Sequence, residues 1–277
     1  MIKRMVSAGA RAFLVALVIA MPAMMLPGVT ADTAQMVALL SLVAAALTFV
    51  EYVSDYPSLI EFRDAAPYNR MRFIALFVTI LLMCSISRGQ VYHTHFSDFL
   101  TLIGGKIGVA MDFPFSPVRL MVLLVPEGTS SRELDMLRTS AGLAYLISLV
   151  TLLLFVAFVR LLNWPIRHGA FNFWVNLPLF DPTAGGDILN RLKRDSHVNV
   201  ALGFLLPFLI PAVLQAASAY AYKVSLADPQ TLIWTMSAWA FLPASLIMRG
   251  VALMRIADLI EEKRRRAYAQ AELHAAA

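Results

Sequence analysis

The chain has 277 residues, 59% of them hydrophobic and only 15% charged, where a soluble protein carries about 25% charge. A formal charge of +5 with no soluble basic domain to hold it excludes nucleic acid as the partner and points to Lys and Arg retained on one side of a membrane. A single cysteine, Cys84, excludes an intrachain disulfide and any Cys-x-x-Cys metal or redox motif.

Six stretches lack Asp, Glu, Lys, Arg and His: 12–28, 33–50, 73–87, 139–159, 198–222 and 229–248. They approach or reach the roughly 20 residues a helix needs to cross the hydrocarbon. The prediction is an all-α fold: a polytopic bundle of six transmembrane helices over 1–254, followed by a cytoplasmic basic helical tail at 255–277. The first stretch has a second reading, as a secretory signal cleaved after Ala31, because Lys3 and Arg4 precede an apolar run that ends in Val29-Thr30-Ala31. Against it, the second stretch begins almost at once, and Pro22 and Pro27 interrupt the run.

The next connection, Glu51 to Arg72, carries Glu51, Asp55, Glu61 and Asp64, and Pro57 and Pro67 break it into short pieces. On helices, 51 and 55 would share a face, as would 61 and 64. The Glu-x-x-His element of di-iron bundles is missing, so the expectation is an acidic loop docked on basic neighbours. The third stretch is the shortest; Arg72 and Arg88 bracket it with side chains long enough to reach the interfaces.

Segment 88–138 is the longest connection. It holds His93-Thr94-His95, Asp98, an apolar run 99–111 broken by Gly104, Gly105 and Gly108, and a second run 118–125. Neither run is long enough to span, so both are predicted as helices in the outer interface or slightly re-entrant. His93, His95 and Asp98 offer two imidazoles and a carboxylate to a metal, with Met24 and Met25 as soft ligands from the first stretch. Exposed loop histidines without a metal are the simpler reading.

In connection 160–197, Trp164, Phe171, Phe173 and Trp174 suit either an interfacial aromatic belt or a docking surface for a partner protein. Segment 181–187 lacks the spacing and lysine of a phosphate loop. Asp187 is expected to cap a short helix, Ile188–Asp195. Pro207, Pro211 and Pro243 are predicted to kink stretches five and six. Beyond them, Arg249–Leu273 reads as a helix leaving the membrane, with Lys263, Arg264, Arg265 and Arg266 as a collar for anionic lipid headgroups.

With the N-terminus inside, six crossings place 17 of the 23 Lys and Arg on the cytoplasmic side and leave Arg88, Lys106, Arg119, Arg132, Arg138 and Lys223 outside. That asymmetry sets the orientation, with both termini cytoplasmic. A bacterial inner membrane is the expected location.

The absence of ionisable groups in the six stretches argues against ion-coupled transport, although the prolines keep a transporter or channel as one alternative. The chain has no G-x-S-x-G and no H-E-x-x-H, so no enzyme class is indicated and no cofactor is implied. A sensor acting through a separate partner is a second alternative, with an apolar stripe (Ile256, Leu259, Ile260) too short for a coiled coil. The leading expectation is a non-catalytic accessory, assembly or scaffold subunit of a membrane complex, with the lipid bilayer and another membrane protein as partners.

Overall fold

A computed structural model describes residues 2–125, 128–162, 164–165, 171–180, 186–219 and 226–276, and among these there are helices and no strands. In chain order they are α1 (Ile2–Met25), α2 (Ala31–Val53), α3 (Tyr68–Gly89), α4 (His95–Met111), α5 (Pro117–Val122), α6 (Ser131–Leu161), α7 (Phe173–Asn176), α8 (Ile188–Ala219) and α9 (Pro229–Ala276). Six of them (α1, α2, α3, α6, α8 and α9) are long and apolar enough to cross a membrane. The architecture is that of a multi-pass membrane protein.

The helices begin where the chain supplies caps. Thr30 accepts from the Thr33 amide at 3.2 Å to open α2, and reciprocal capping boxes open α4 (Thr94 with Ser97) and α6 (Ser130 with Glu133). Most helices outrun their uncharged stretches, because a charge ends a hydrocarbon span without ending a helix. The third stretch therefore sits in a 22-residue helix, about 33 Å long, with Arg72 and Arg88 inside its ends. The predicted short helix Ile188–Asp195 does not stop. It runs straight into the fifth stretch as the 32-residue α8, and the last residues of that predicted span, 220–222, lie outside the described residues. The sixth stretch and the tail likewise form one 48-residue helix, α9. The two runs of segment 88–138 fold as α4 and the single-turn-scale α5.

α1 packs along α2 and α8 along α9; α3 stands between these two hairpins, touching α1 and α9, and α6 packs against α3, α4 and α9. Small residues allow the closest approaches. Gly203 of α8 faces Pro243 and Ile247 of α9, and Ser196 donates to the Gly250 carbonyl at 2.7 Å. α4 crosses α6 with Gly108 against Arg138, Thr139 and Gly142. Pro207 and Pro211 lie inside α8 and Pro243 inside α9. Proline 211 has no amide to offer the carbonyl four residues earlier. That carbonyl, Pro207 O, instead accepts from the buried Trp239 indole at 3.0 Å.

The hydrogen bonds define two ends. At one, Arg4 of α1 donates to Asp55 after α2 (2.6 Å), and Glu61 meets Arg249 of α9. This basic end also holds a buried cluster around Phe62, Tyr68, Phe155, Trp164 and Ile256. The distal end carries α4 and α5 over a second cluster that includes Ile80, Met83, Met121 and Trp239. There Asp112, nearly buried, accepts from Arg138 (2.8 Å) and Arg119 (3.2 Å), pinning the end of α4 to α6 and α5.

Candidate functional site

The loop 54–67 between α2 and α3 is folded by carboxylates. Glu51, in the last turn of α2, is buried and accepts from the Ser58, Leu59 and Ile60 amides at 3.0–3.2 Å and from the Ser58 hydroxyl. An ionised carboxylate with several amide donors is a strong organiser of backbone. Arg63 closes the other side, donating to the Glu51 and Ser54 carbonyls, both at 2.7 Å. Phe62 adopts a left-handed backbone (φ 52°), a conformation that costs a non-glycine residue about 1–2 kcal/mol. It is held there by its buried ring, 4.4 Å from the Tyr68 ring, and by the hydrogen bond its N–H donates to the Asn176 carbonyl at 2.6 Å. The paired-face expectation for these acids is corrected by the fold: residues 61 and 64 lie in turns, and 51 and 55 serve different partners.

This loop forms one boundary of a cavity of about 1100 Å³ walled by α1, α2, α3, α8 and α9. That is at or above the upper range for drug-sized ligands. Its two ends differ in chemistry. Toward the basic end stand Arg11, Arg72, Arg249, Glu61, Asn69 and Asn199; deeper in stand Leu14, Phe73, Leu206, Leu242 and Leu246. From Arg249 to Leu242 along α9 the change takes seven residues, roughly 10 Å. Leu14, Ile74 and Leu242 line the cavity and are also exposed, so it opens sideways between the helices.

The cations are not equivalent. Arg249 is matched by Glu61 in a bidentate pair, Nε and Nη2 at 2.6 and 2.8 Å from the two carboxylate oxygens. Glu61 is further fixed through its carbonyl, which accepts from Asn69 at 2.7 Å. Arg11 and Arg72, both half-buried, have no carboxylate within 4 Å among the described residues. Arg11 lies 4.4 Å over the Tyr52 ring and donates to Ser7 at 2.6 Å. Arg72 packs over Tyr68 (5.4 Å) and Phe241 (5.5 Å) and donates to Ser245 at 3.3 Å, with a long 3.5 Å contact to Asn69. Aromatic faces hold a guanidinium in place without neutralising it. A second cavity of 640 Å³ between α6, α8 and α9 is lined by Asp258, Arg160, His197 and Arg255, and a 400 Å³ polar cleft beside the loop, which Arg11 also lines, holds the Arg4–Asp55 and Arg63–Asp64 pairs.

The residues singled out in the sequence lie elsewhere. His93 Nδ1 is 3.6 Å from Asp98, both exposed; among the described residues, no group of three His, Cys, Asp or Glu converges for a metal, so His95 does not complete a triad. Trp164 is buried in the core of the basic end, its indole donating to the Ala65 carbonyl at 3.2 Å. Phe171 and Phe173 are partly buried against that core, edge-to-face at 5.2 Å, and Trp174 is 57% exposed. Of the four aromatic residues, Trp174 is thus the one turned outward. In the collar, Arg264 pairs with Asp187 (3.0 Å) and Arg266 with Glu262, while Lys263 and Arg265 are exposed. Asp187 does start α8, accepting from the Leu189 amide at 3.3 Å. That amide and the Arg264 guanidinium hold its carboxyl below the usual range. Lys193, expected at a helix end, instead bonds Glu261 across the α8–α9 pair at 2.7 Å.

No protein-family model, curated protein or solved structure matches this chain.

Proposed function

We propose that this chain is a non-catalytic accessory protein of a cell membrane, and that its cavity holds an anionic amphiphile taken from the cytoplasmic leaflet. The observation behind this reading is the pair Arg11 and Arg72, half-buried cations without carboxylate partners at the polar end of an otherwise apolar cavity. Leaving water costs a guanidinium several kcal/mol unless an anion meets it, and here a ligand supplies that anion. Apolar walls below and a lateral opening suit acyl chains arriving from the bilayer. The basic end faces the cytoplasm of a bacterial inner membrane in this reading, with both termini inside, as the distribution of Lys and Arg favours. α4 and α5 then lie in the outer interface; the exposed Phe96, Phe99, Leu102 and Val109 of α4 suit that environment. Trp174 and the exposed Leu179 at the cavity mouth sit at the inner headgroup layer, where a partner subunit also has access to them.

Of the carbonyls that the three prolines free, Pro207 O accepts from the Trp239 indole, which makes it a poorer ligand for a transported ion and supports the accessory reading over a channel. Purification in a mild detergent followed by lipid mass spectrometry tests the proposal. The wild type is expected to retain an anionic amphiphile at near one per chain, and a folded Arg11→Gln/Arg72→Gln to lose it. A wild type that carries only bulk-composition lipid would refute it.

A further inference from the structure

Resting on the amphiphile reading, we propose that the headgroup this cavity selects is a phosphomonoester, a doubly charged phosphate on a lipid, in preference to the singly charged phosphodiester of ordinary anionic phospholipids. The inference comes from counting charge at the polar end. Four guanidiniums line the cavity (Arg11, Arg70, Arg72 and Arg249) against one carboxylate, Glu61. Glu61 is committed to Arg249 through both of its oxygens. Arg70 is exposed and solvated. Two half-buried cations are left, and each keeps donors unused: a guanidinium has five N–H groups, of which Arg11 gives one to Ser7 and Arg72 is engaged at Nε by Ser245 and at Nη1 by Asn69. Arg11 and Arg72 line the same cavity, with the Tyr52 ring beneath Arg11 and the Tyr68 ring beneath Arg72.

A phosphodiester brings one negative charge and leaves one of the two cations unmatched. A phosphomonoester brings −1.5 to −2 at neutral pH and three acceptor oxygens, enough to take parallel N–H pairs from two guanidiniums in the bidentate manner that arginine favours. A zwitterionic headgroup adds an ammonium to a site that already has excess positive charge. Free phosphate shares the chemistry but has no use for the leucine-lined half of the cavity.

The test is competition for the full-length protein in detergent, read by native mass spectrometry. The probes are dioleoyl phosphatidic acid, dioleoyl phosphatidylglycerol, dioleoyl phosphatidylethanolamine and water-soluble glycerol 3-phosphate. Phosphatidic acid is expected to bind about tenfold more tightly than phosphatidylglycerol at pH 7.5. The preference should shrink severalfold at pH 5, below the second phosphate pKa of about 6, where the monoester carries a single charge. Because the pH comparison uses the wild-type protein, it stands even where Arg11→Gln/Arg72→Gln fails to fold; where that variant folds, the preference should vanish. Equal binding of phosphatidic acid and phosphatidylglycerol, or a preference unchanged at pH 5, overturns the phosphomonoester assignment and leaves the amphiphile reading intact. Displacement of phosphatidic acid by equimolar glycerol 3-phosphate overturns the lipid source. No anionic lipid held above phosphatidylethanolamine overturns both readings.

Discussion

Replacing Gly108 with alanine separates the α4–α6 crossing from ordinary helix preference. A Cβ at 108 would stand 2.8 Å from the Arg138 carbonyl oxygen and 3.0 Å from the Thr139 Cα, both backbone atoms that no rotamer change can move. Relief requires the helices to part by roughly 0.5–1 Å, a gap that forfeits a quarter to a half of each dispersion contact across the crossing. Overpacking of this kind costs about 1–3 kcal/mol, against which alanine returns up to about 1 kcal/mol of helix propensity. The net expectation is a loss of about 1–2 kcal/mol. Gly105 is the internal control, because its added Cβ meets only the Thr139 hydroxyl at 4.0 Å. Gly105→Ala should therefore keep the propensity gain and melt at or above the wild type. Thermal unfolding of the two variants in the same detergent should rank Gly105→Ala highest and Gly108→Ala lowest. Equal melting temperatures for the two would show that α4 does not press on α6 at Gly108.

Trp239→Phe keeps the ring but removes the donor that satisfies the Pro207 carbonyl; a buried orphan acceptor costs about 1–3 kcal/mol, and a variant as stable as wild type in thermal melts would contradict the bond. Glu61→Gln leaves Arg249 without its counter-charge. Because Arg249 is partly solvated, the loss should fall below the 3–5 kcal/mol of a fully buried pair, at about 2 kcal/mol. The loop is then expected to open to tryptic cleavage after Arg63, and an unchanged cleavage rate would count against the clasp. Reporter fusions after Asp32, Gln90 and Lys223 should read outside and those after Asp64 and Asp195 cytoplasm; the inverse pattern would overturn the orientation and with it the leaflet assigned to the cavity.

The membrane class was legible because uncharged stretches of spanning length have no other common use. Helix ends were less so. Stretch three looked short because Arg72 and Arg88 interrupt its apolar run, yet both arginines sit comfortably in helix turns near its ends. The expected short helix Ile188–Asp195 places Lys193 and Arg194 in its last turn, but neither residue breaks a helix, and Lys193 faces Glu261 instead. The cavity could not be seen at all. Arg11, Arg72 and Arg249 are 61 and 177 residues apart in sequence, and each counted only as a basic residue on the cytoplasmic side. A local signal did exist for part of it: an acidic loop beside basic neighbours was expected, and Glu51 and Glu61 meet that description, though one organises amides and the other neutralises a single arginine. What separated Arg249 from Arg11 and Arg72 was which cation the one lining carboxylate reached, and that depends on tertiary placement.

The placement of the cavity between two helical hairpins has a consequence for how the protein is made. Its walls come from residues 11–74 on one side and 179–249 on the other, so a nascent chain emerging from the ribosome has half a binding site through most of its synthesis. Arg11 and Arg72 enter the bilayer long before the α8–α9 hairpin arrives to cover them. During that interval Glu61 lacks its partner Arg249, and under the proposed reading a lipid gathered early would compete with Glu61 for Arg11 and Arg72 and be enclosed as the last hairpin closes. Ligand loading and the final step of membrane assembly would then be the same event.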